Sequence, residues 1–261
     1  MGTCVICFAN NKGGSGKTTT CANTGSALSL MGRKVLLIDG DMQMNLTLSF
    51  FGEDDVLEFA ESGRTVYEAI VKEEDLSSYI RKTDDENIDV IPASTLLTSI
   101  EMDLFTKIRR EFLLSRLLKK VKDSGDYDYI LIDAPPTLGN WVMNILIASD
   151  RVMIPVEATP WGLFGLANMT DFIGRVQEIA PGLDILGIVV TKADERKNYY
   201  KQMRETLSEL DEIHVFESVI HVDSSVEWAQ DASSTVVKYK RSSRSAKEYM
   251  QLAKEVDGLC Q

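Results

Sequence analysis

The chain has 261 residues, 44% of them hydrophobic, and its 28 Lys and Arg against 40 Asp and Glu give a formal net charge of −12. That length supports one α/β domain with a substantial core, so residues 1–261 read as a single domain. No apolar run approaches the roughly 20 residues that span a bilayer and no signal peptide is visible, so a membrane-spanning or exported protein is not expected. The acidic total also excludes a generally basic surface.

The first element is the apolar run Cys4-Val5-Ile6-Cys7-Phe8-Ala9, which has strand length. It leads into Lys12-Gly13-Gly14-Ser15-Gly16-Lys17-Thr18-Thr19, and a helix-permissive stretch from Thr19 to Met31 follows, stopped by Gly32. Strand, glycine loop and helix is the arrangement of a phosphate-binding loop. Glycines let consecutive backbone N–H groups turn inward around phosphate oxygens. Lys17 can reach the β- and γ-phosphates, the Thr18 hydroxyl can hold Mg²⁺, and a helix starting near Lys17 aims its positive end at the same anion. Gly13, Gly14, Ser15, Gly16, Lys17, Thr18 and Thr19 are therefore the candidate nucleotide-binding residues. The strict loop pattern would place glycine where Asn11 stands, and an extra lysine, Lys12, opens the loop.

Two further apolar runs each end in acid. Lys34-Val35-Leu36-Leu37-Ile38 runs into Asp39-Gly40-Asp41, and Tyr129-Ile130-Leu131-Ile132 runs into Asp133-Ala134-Pro135-Pro136. Both suit parallel strands buried on both faces, and a carboxylate just past such a strand lies at the sheet edge where open α/β folds bind ligands. Asp133 is placed to hold Mg²⁺ directly or through water, with Thr18 as the second candidate metal ligand, and Asp41 is the candidate to orient the attacking water. Asp39 reads equally well as a capping residue.

Between and beyond these runs, the acidic stretch Glu53 to Asp75 predicts short surface helices. Strands are expected at Asp89–Ile91, Arg151–Ile154 and Ile185–Val190, and helices at Arg109–Lys122, Leu163–Ile179 and Arg196–Leu210. The alternation predicts a mainly parallel, twisted α/β sheet with helices on both faces. Cys4, Cys7, Cys21 and Cys260 read as reduced thiols. Cys4 and Cys7 lie three apart on a strand, so they face opposite sides and read as core rather than as half of a metal site.

The loop Lys12–Thr19, the stretch Asp39-Gly40-Asp41-Met42-Gln43-Met44-Asn45 and Asp133-Ala134-Pro135-Pro136 together resemble the deviant Walker ATPases of the ParA/Soj and MinD type. Ile154-Pro155-Val156-Glu157, Gly162-Leu163-Phe164-Gly165-Leu166 and the closing Tyr249–Val256 resemble ParA as well. The chain departs from the usual switch segment, Asp-Leu-Asp-Pro-Gln-Gly-Asn, in having Gly40, Met42 and Met44. The resemblance implies a P-loop fold of the ParA/MinD type, MgATP as the substrate complex, a low intrinsic hydrolysis rate, and a homodimer formed with ATP. It also implies that Lys17 serves its own nucleotide while Lys12 reaches across the dimer to the partner's. Lys12, Lys17 and Asp41 are thus the catalytic candidates, and Lys12 joins the nucleotide-binding set. Thr191, in the loop after a late strand, is the candidate base contact, and ATP rather than GTP rests on the resemblance.

The resemblance further implies DNA partitioning (plasmid or chromosome), non-specific DNA binding by the ATP dimer, and a ParB-like activator. Two basic groups could contact phosphates without reading bases: Arg196, Lys197, Lys201 and Arg204 around Tyr199 and Tyr200, and Lys238, Lys240, Arg241, Arg244 and Lys247 in an acid-free stretch. Arg196, Lys197, Lys238, Lys240, Arg241 and Arg244 are the DNA-binding candidates. Where many ParA relatives carry a Pro-Arg-Asn-like stretch, this chain has Ile220-His221-Val222-Asp223. The first strand starts by about residue 4, so an N-terminal helix-turn-helix and sequence-specific operator binding are not expected.

The competing class is a MinD-like positioning ATPase bound to membrane or a protein cluster. Ser245-x-x-Glu248 reads as a capping box opening a last helix, with Tyr249, Leu252, Ala253 and Val256 as its apolar stripe. Its polar face mixes Lys247 and Lys254 with Glu248, Glu255 and Asp257, so no stable membrane anchoring is expected. The expectation is a cytoplasmic protein that can associate with the nucleoid. A metabolic or redox member of the superfamily is the third class; neither Asp39–Phe51 nor Asp133–Asn140 holds a cysteine for an iron–sulfur cluster.

Overall fold

The apolar runs form the middle of one sheet in the computed structural model, which describes residues 2–210 and 212–260. The strands are β1 Cys4–Phe8, β2 Val35–Asp39, β3 Arg81–Lys82, β4 Ile88–Ile91, β5 Tyr129–Asp133, β6 Arg151–Glu157, β7 Asp184–Ala193 and β8 Val215–His221. Among the described residues they lie in the order β3-β4-β2-β5-β1-β6-β7-β8. Every pairing is parallel except β3 with β4, which is antiparallel at the sheet edge. All five residues of β2 and of β5 are buried, as expected of central parallel strands covered on both faces.

The helices are α1 Lys17–Leu30, α2 Asn45–Leu48, α3 Glu53–Glu61, α4 Val66–Lys72, α5 Ile100–Phe105, α6 Leu113–Ser124, α7 Asn140–Ala148, α8 Pro160–Gln177, α9 Asn198–Ser208, α10 Ser224–Asp231, α11 Val236–Tyr239 and α12 Arg244–Cys260. Side chains alternate across the sheet with the period-two rule of strands. Val5, Cys7, Leu36, Ile38, Ile130 and Ile132 enter one core with α4 to α8. Ile6, Phe8, Val35, Leu37, Tyr129 and Leu131 enter the other, with α1 and α12. Cys7 sits in the first core and Cys4 packs against the second, on the opposite faces that their spacing requires.

Several element ends differ from the sequence expectation. The helix expected from Arg109 starts at Leu113, because Arg109 adopts a left-handed conformation (φ 52°) and a 3₁₀ turn follows. The helix expected from Leu163 starts at Pro160, which occupies its first turn where a missing N–H costs nothing. The strand Ile185–Val190 extends to Ala193 and so includes Thr191. The expected capping box at Ser245 is corrected. α12 begins at Arg244, the Ser243 hydroxyl accepts from the Ala246 N–H at 3.2 Å, and the Ser245 hydroxyl donates instead to Asp223 at 2.9 Å. Tyr249, Leu252, Ala253 and Val256 are buried, so the apolar stripe of α12 is spent on the core.

Candidate functional site

Where β1 ends, the chain turns sharply and re-enters as α1. Gly14 and Gly16 have φ of 76° and 85°, values that L side chains rarely adopt, and this is how the loop folds back over the helix N-terminus. The loop is braced from β7: the Thr191 hydroxyl donates to the Ser15 carbonyl at 2.7 Å, and Thr191 is 2% exposed. The hydroxyl expected to contact the base is therefore already engaged in holding the phosphate loop.

A cleft of about 490 Å³ opens in front of the loop, lined by Gly13, Gly14, Gly16, Lys17, Thr18 and Thr19 on one side and by Asp41, Gln43, Asn45 and Pro136 on the other. The two acidic strand ends meet behind it, since Asp39 and Asp133 are register partners on β2 and β5. Asp133 is fully buried and neither of its carboxylate oxygens has a hydrogen-bond partner. Burial pushes its pKa well up and Asp39 adds to this, while Thr18 and Lys17 oppose it. Lys17 is 6% exposed; burial lowers its pKa, and Asp133 and Asp41 resist that. A buried carboxylate lacking a partner, beside a hydroxyl and a desolvated ammonium, suits a divalent cation and a polyphosphate, which would satisfy all three. Thr18 and Asp133 are the residues that would hold the metal.

Asp39 is a structural residue. Its carboxylate accepts from the Thr47 N–H at 2.8 Å, the Thr47 hydroxyl at 2.7 Å and the Asp41 N–H at 3.1 Å, which fixes the start of α2. Burial nevertheless raises its pKa to about 6. Asp41, two residues on, lines the cleft. Gly40 between them explains one departure from the usual switch segment. Its N–H donates to the Asp133 carbonyl at 3.0 Å and its carbonyl accepts from the Trp141 indole at 2.8 Å. A Cβ there would lie 2.6 Å from the Asp133 carbonyl oxygen.

Lys12 does not line its own phosphate cleft. Its ammonium pairs with Glu157 at the end of β6 and donates to the Thr159 hydroxyl at 2.7 Å. Sequence reasoning missed this cradle and also missed Lys192 and Gln230. Lys192, held left-handed at φ 50°, and Gln230 of α10 line both the phosphate cleft and a neighbouring cleft of about 310 Å³. The Gln230 amide donates to the Thr19 hydroxyl at 3.3 Å. Lys192 was visible as the residue after Thr191, whereas Gln230 carries no local signal, because only the folding of α10 against α1 brings it there.

The six candidate DNA contacts divide in two. Arg196 pairs with Asp194, Lys238 with Asp85, and Arg244 with Glu195 and Glu248. Lys197, Lys240 and Arg241 are exposed. His221, in the stretch that departs from the Pro-Arg-Asn-like pattern, is 8% exposed, with its ring nitrogens at 2.7 Å from Glu248 and 2.8 Å from Glu195. It ties β8 to α12 and also lines the neighbouring cleft of about 310 Å³.

A parallel sheet with a glycine loop at β1, acids at the adjoining strand ends and two lysines on one loop defines a P-loop nucleotide hydrolase of the ParA/MinD type. A family profile described as AAA domain matches residues 3–185. The sporulation initiation inhibitor protein Soj of Bacillus subtilis is 38% identical over 97% of both chains. Among solved structures, a plasmid partition protein of Borrelia burgdorferi bound to AMPPNP is similar at a TM-score of 0.82 and 27% identity, covering 99% of each chain. Cobyrinic acid a,c-diamide synthase of Mycobacterium smegmatis with bound ADP and magnesium is similar at 0.80 and 31% identity, covering 97% of this chain and 93% of that one. The chain belongs to the ParA/Soj family of P-loop partitioning ATPases.

Proposed function

We propose that the protein is an ATP-dependent dimerising switch for DNA partitioning, in which two copies close over two MgATP molecules and the closed dimer binds DNA non-specifically. Lys17 and Thr18 hold the phosphates and metal of their own site with Asp133, Asp41 orients water, and Lys12 completes the partner's site. A cation delivered by a second copy ties hydrolysis to assembly, because charge on the transferring phosphoryl group is then neutralised only in the dimer.

The observation that carries this reading is the placement of Lys12. It is the one loop lysine held off the chain's own cleft, on a cradle at the protein surface. Trp161 and Phe164, in the first turns of the helix after that cradle, are 71% and 65% exposed. Large apolar side chains beside a cation that leaves its own cleft are what a second copy would cover.

A MinD-like, membrane-bound role fits less well, because the apolar stripe of α12 is buried, and no described helix is long and apolar enough to cross a membrane. The reading includes stimulation of hydrolysis by a ParB-like partner and a place in the cytoplasm on the nucleoid, which likeness to Soj and ParA supports. Binding to non-specific duplex DNA across a salt series, with ATP and with ADP, tests the reading. ATP-dependent binding that weakens steeply with salt supports it. No binding by a sample that dimerises with ATP leaves the switch and removes the DNA.

A further inference from the structure

Two thiols meet at the end of the molecule opposite the phosphate loop. Cys4 opens β1, and its register partner on β5 is Tyr129. Side chains of register partners on adjacent strands face the same side of a sheet. The Tyr129 hydroxyl donates to Asp257 Oδ1 at 2.8 Å, and Arg33 grips the same carboxylate through Nε and Nη2 at 2.9 and 2.8 Å. Asp257 and Cys260 lie three apart on α12, hence on one helix face. The clamp that seats Asp257 over Tyr129 thereby seats Cys260 over Cys4. Both thiols line a small cleft with Arg33 and Asp128, and both are half-buried, whereas Cys7 and Cys21 are buried.

We propose that Cys4 and Cys260 are a modification site: a thiol pair that closes reversibly into a disulfide and staples the end of α12 to the start of β1. The co-reactant is a low-molecular-weight disulfide of the oxidised glutathione class. Cys260 attacks first. The neighbouring Cys4 thiol and Arg151 favour its thiolate, while Cys260 beside it and burial keep Cys4 protonated. The Cys260 thiolate attacks one sulfur of the small disulfide and expels one thiolate, which takes up a proton. Cys4 then gives its proton to solvent and attacks the Cys260 sulfur of the mixed disulfide, expelling the second small thiol. Two protein thiols are oxidised as one small disulfide is reduced to two thiols.

The link joins residues near the two ends of the chain, so it closes a long loop and constrains the unfolded ensemble strongly. It also fixes α12, which packs on α1 behind the phosphate loop and on β8. The site is at the opposite end of the strands from the nucleotide cleft, so oxidation is expected to stiffen α12 without obstructing the cleft.

The whole protein is equilibrated in glutathione buffers of stepped redox ratio, alkylated with N-ethylmaleimide and analysed by mass spectrometry. The expected product is lighter by two hydrogen atoms, takes up two fewer alkyl groups, yields a linked peptide containing Cys4 and Cys260, and reverts with dithiothreitol. It is absent from Cys4→Ser and Cys260→Ser and retained in Cys21→Ser. Oxidation raises the thermal midpoint of the wild type and not of Cys260→Ser. Glutathione adducts that persist on Cys260 without a cross-link, or full alkylation of both thiols at every ratio, overturn the proposal.

Discussion

The Lys12 ammonium rests on Glu157 and the Thr159 hydroxyl, at the far end of the strand next to its own, and not on the phosphate cleft that its loop builds. If Lys12 engages a partner's nucleotide as proposed, it must leave this pairing, so the cradle would compete with assembly. The two side chains are each 22% exposed, which places the pair in the range of about 0.5–1 kcal/mol. Glu157→Gln is therefore expected to strengthen ATP-dependent self-association about two- to five-fold, as measured by analytical ultracentrifugation. An unchanged or weaker dimer would show that the pairing does not oppose assembly.

Thr191 acts through the loop that it braces. Thr191→Val leaves the Ser15 carbonyl without its buried donor, which costs about 1–3 kcal/mol. If the loop bears that cost, calorimetry should show MgATP affinity falling about ten-fold or more, with Thr191→Ser restoring most of it. Equal affinity in all three proteins would remove the brace.

Gly40 tolerates no Cβ, because the Asp133 carbonyl oxygen would lie 2.6 Å away. Gly40→Ala is expected to destabilise the fold by about 1–3 kcal/mol in urea unfolding, as overpacking does. A variant as stable as the wild type would show that the strand ends separate freely.

Asp39 gives a pH dependence with a definite sign. Its pKa is raised by burial to about 6 in the folded chain, against about 4 for an exposed aspartate. Between those values the folded state binds more protons than the unfolded, so stability falls as pH rises through this window, by about 3 kcal/mol in all. Below it the penalty is absent, and above it the penalty is complete. Asp39→Asn should flatten the slope in urea midpoints measured from pH 4 to 6.5; an equally steep slope in the variant would assign it to other groups.

In the proposed DNA complex, the exposed Lys240 and Arg241 should contribute more than cations held by carboxylates. Lys240→Ala with Arg241→Ala should lower the slope of log K against log salt by about 0.9 for each DNA phosphate that is no longer neutralised. Arg244→Ala, whose guanidinium is held by Glu195 and Glu248, should change it less. The reverse ranking would place the DNA surface elsewhere.

The phosphate loop, β1, β2, β5 and the acids Asp41 and Asp133 were legible in the sequence, because a buried parallel strand is a continuous apolar run and the loop needs glycine at fixed offsets. The helix start at Leu113 was less legible, since a left-handed Arg109 is decided by tertiary packing as much as by local pattern, whereas the start at Pro160 carried a local signal, proline after Thr159, that the apolar pattern alone does not show. Which cations of the basic stretches are paired was legible only where the acid is close in sequence, as for Arg196 with Asp194 and Arg244 with Glu248. Lys238 meets Asp85 and Arg244 meets Glu195 across long sequence separations, and only the fold makes those pairs.

The most direct test of the trans-acting lysine mixes two inactive proteins, Lys12→Ala and Asp41→Ala, and measures ATP turnover. In the mixed dimer the Lys12→Ala subunit keeps its own Asp41 and receives its partner's Lys12, so one site is whole. The account predicts recovery to about a quarter of the wild-type rate, the statistical share of one intact site per mixed dimer. Turnover no higher than the sum of the two variants, in samples shown to form the mixed dimer, would mean that Lys12 serves its own site, and would contradict the account.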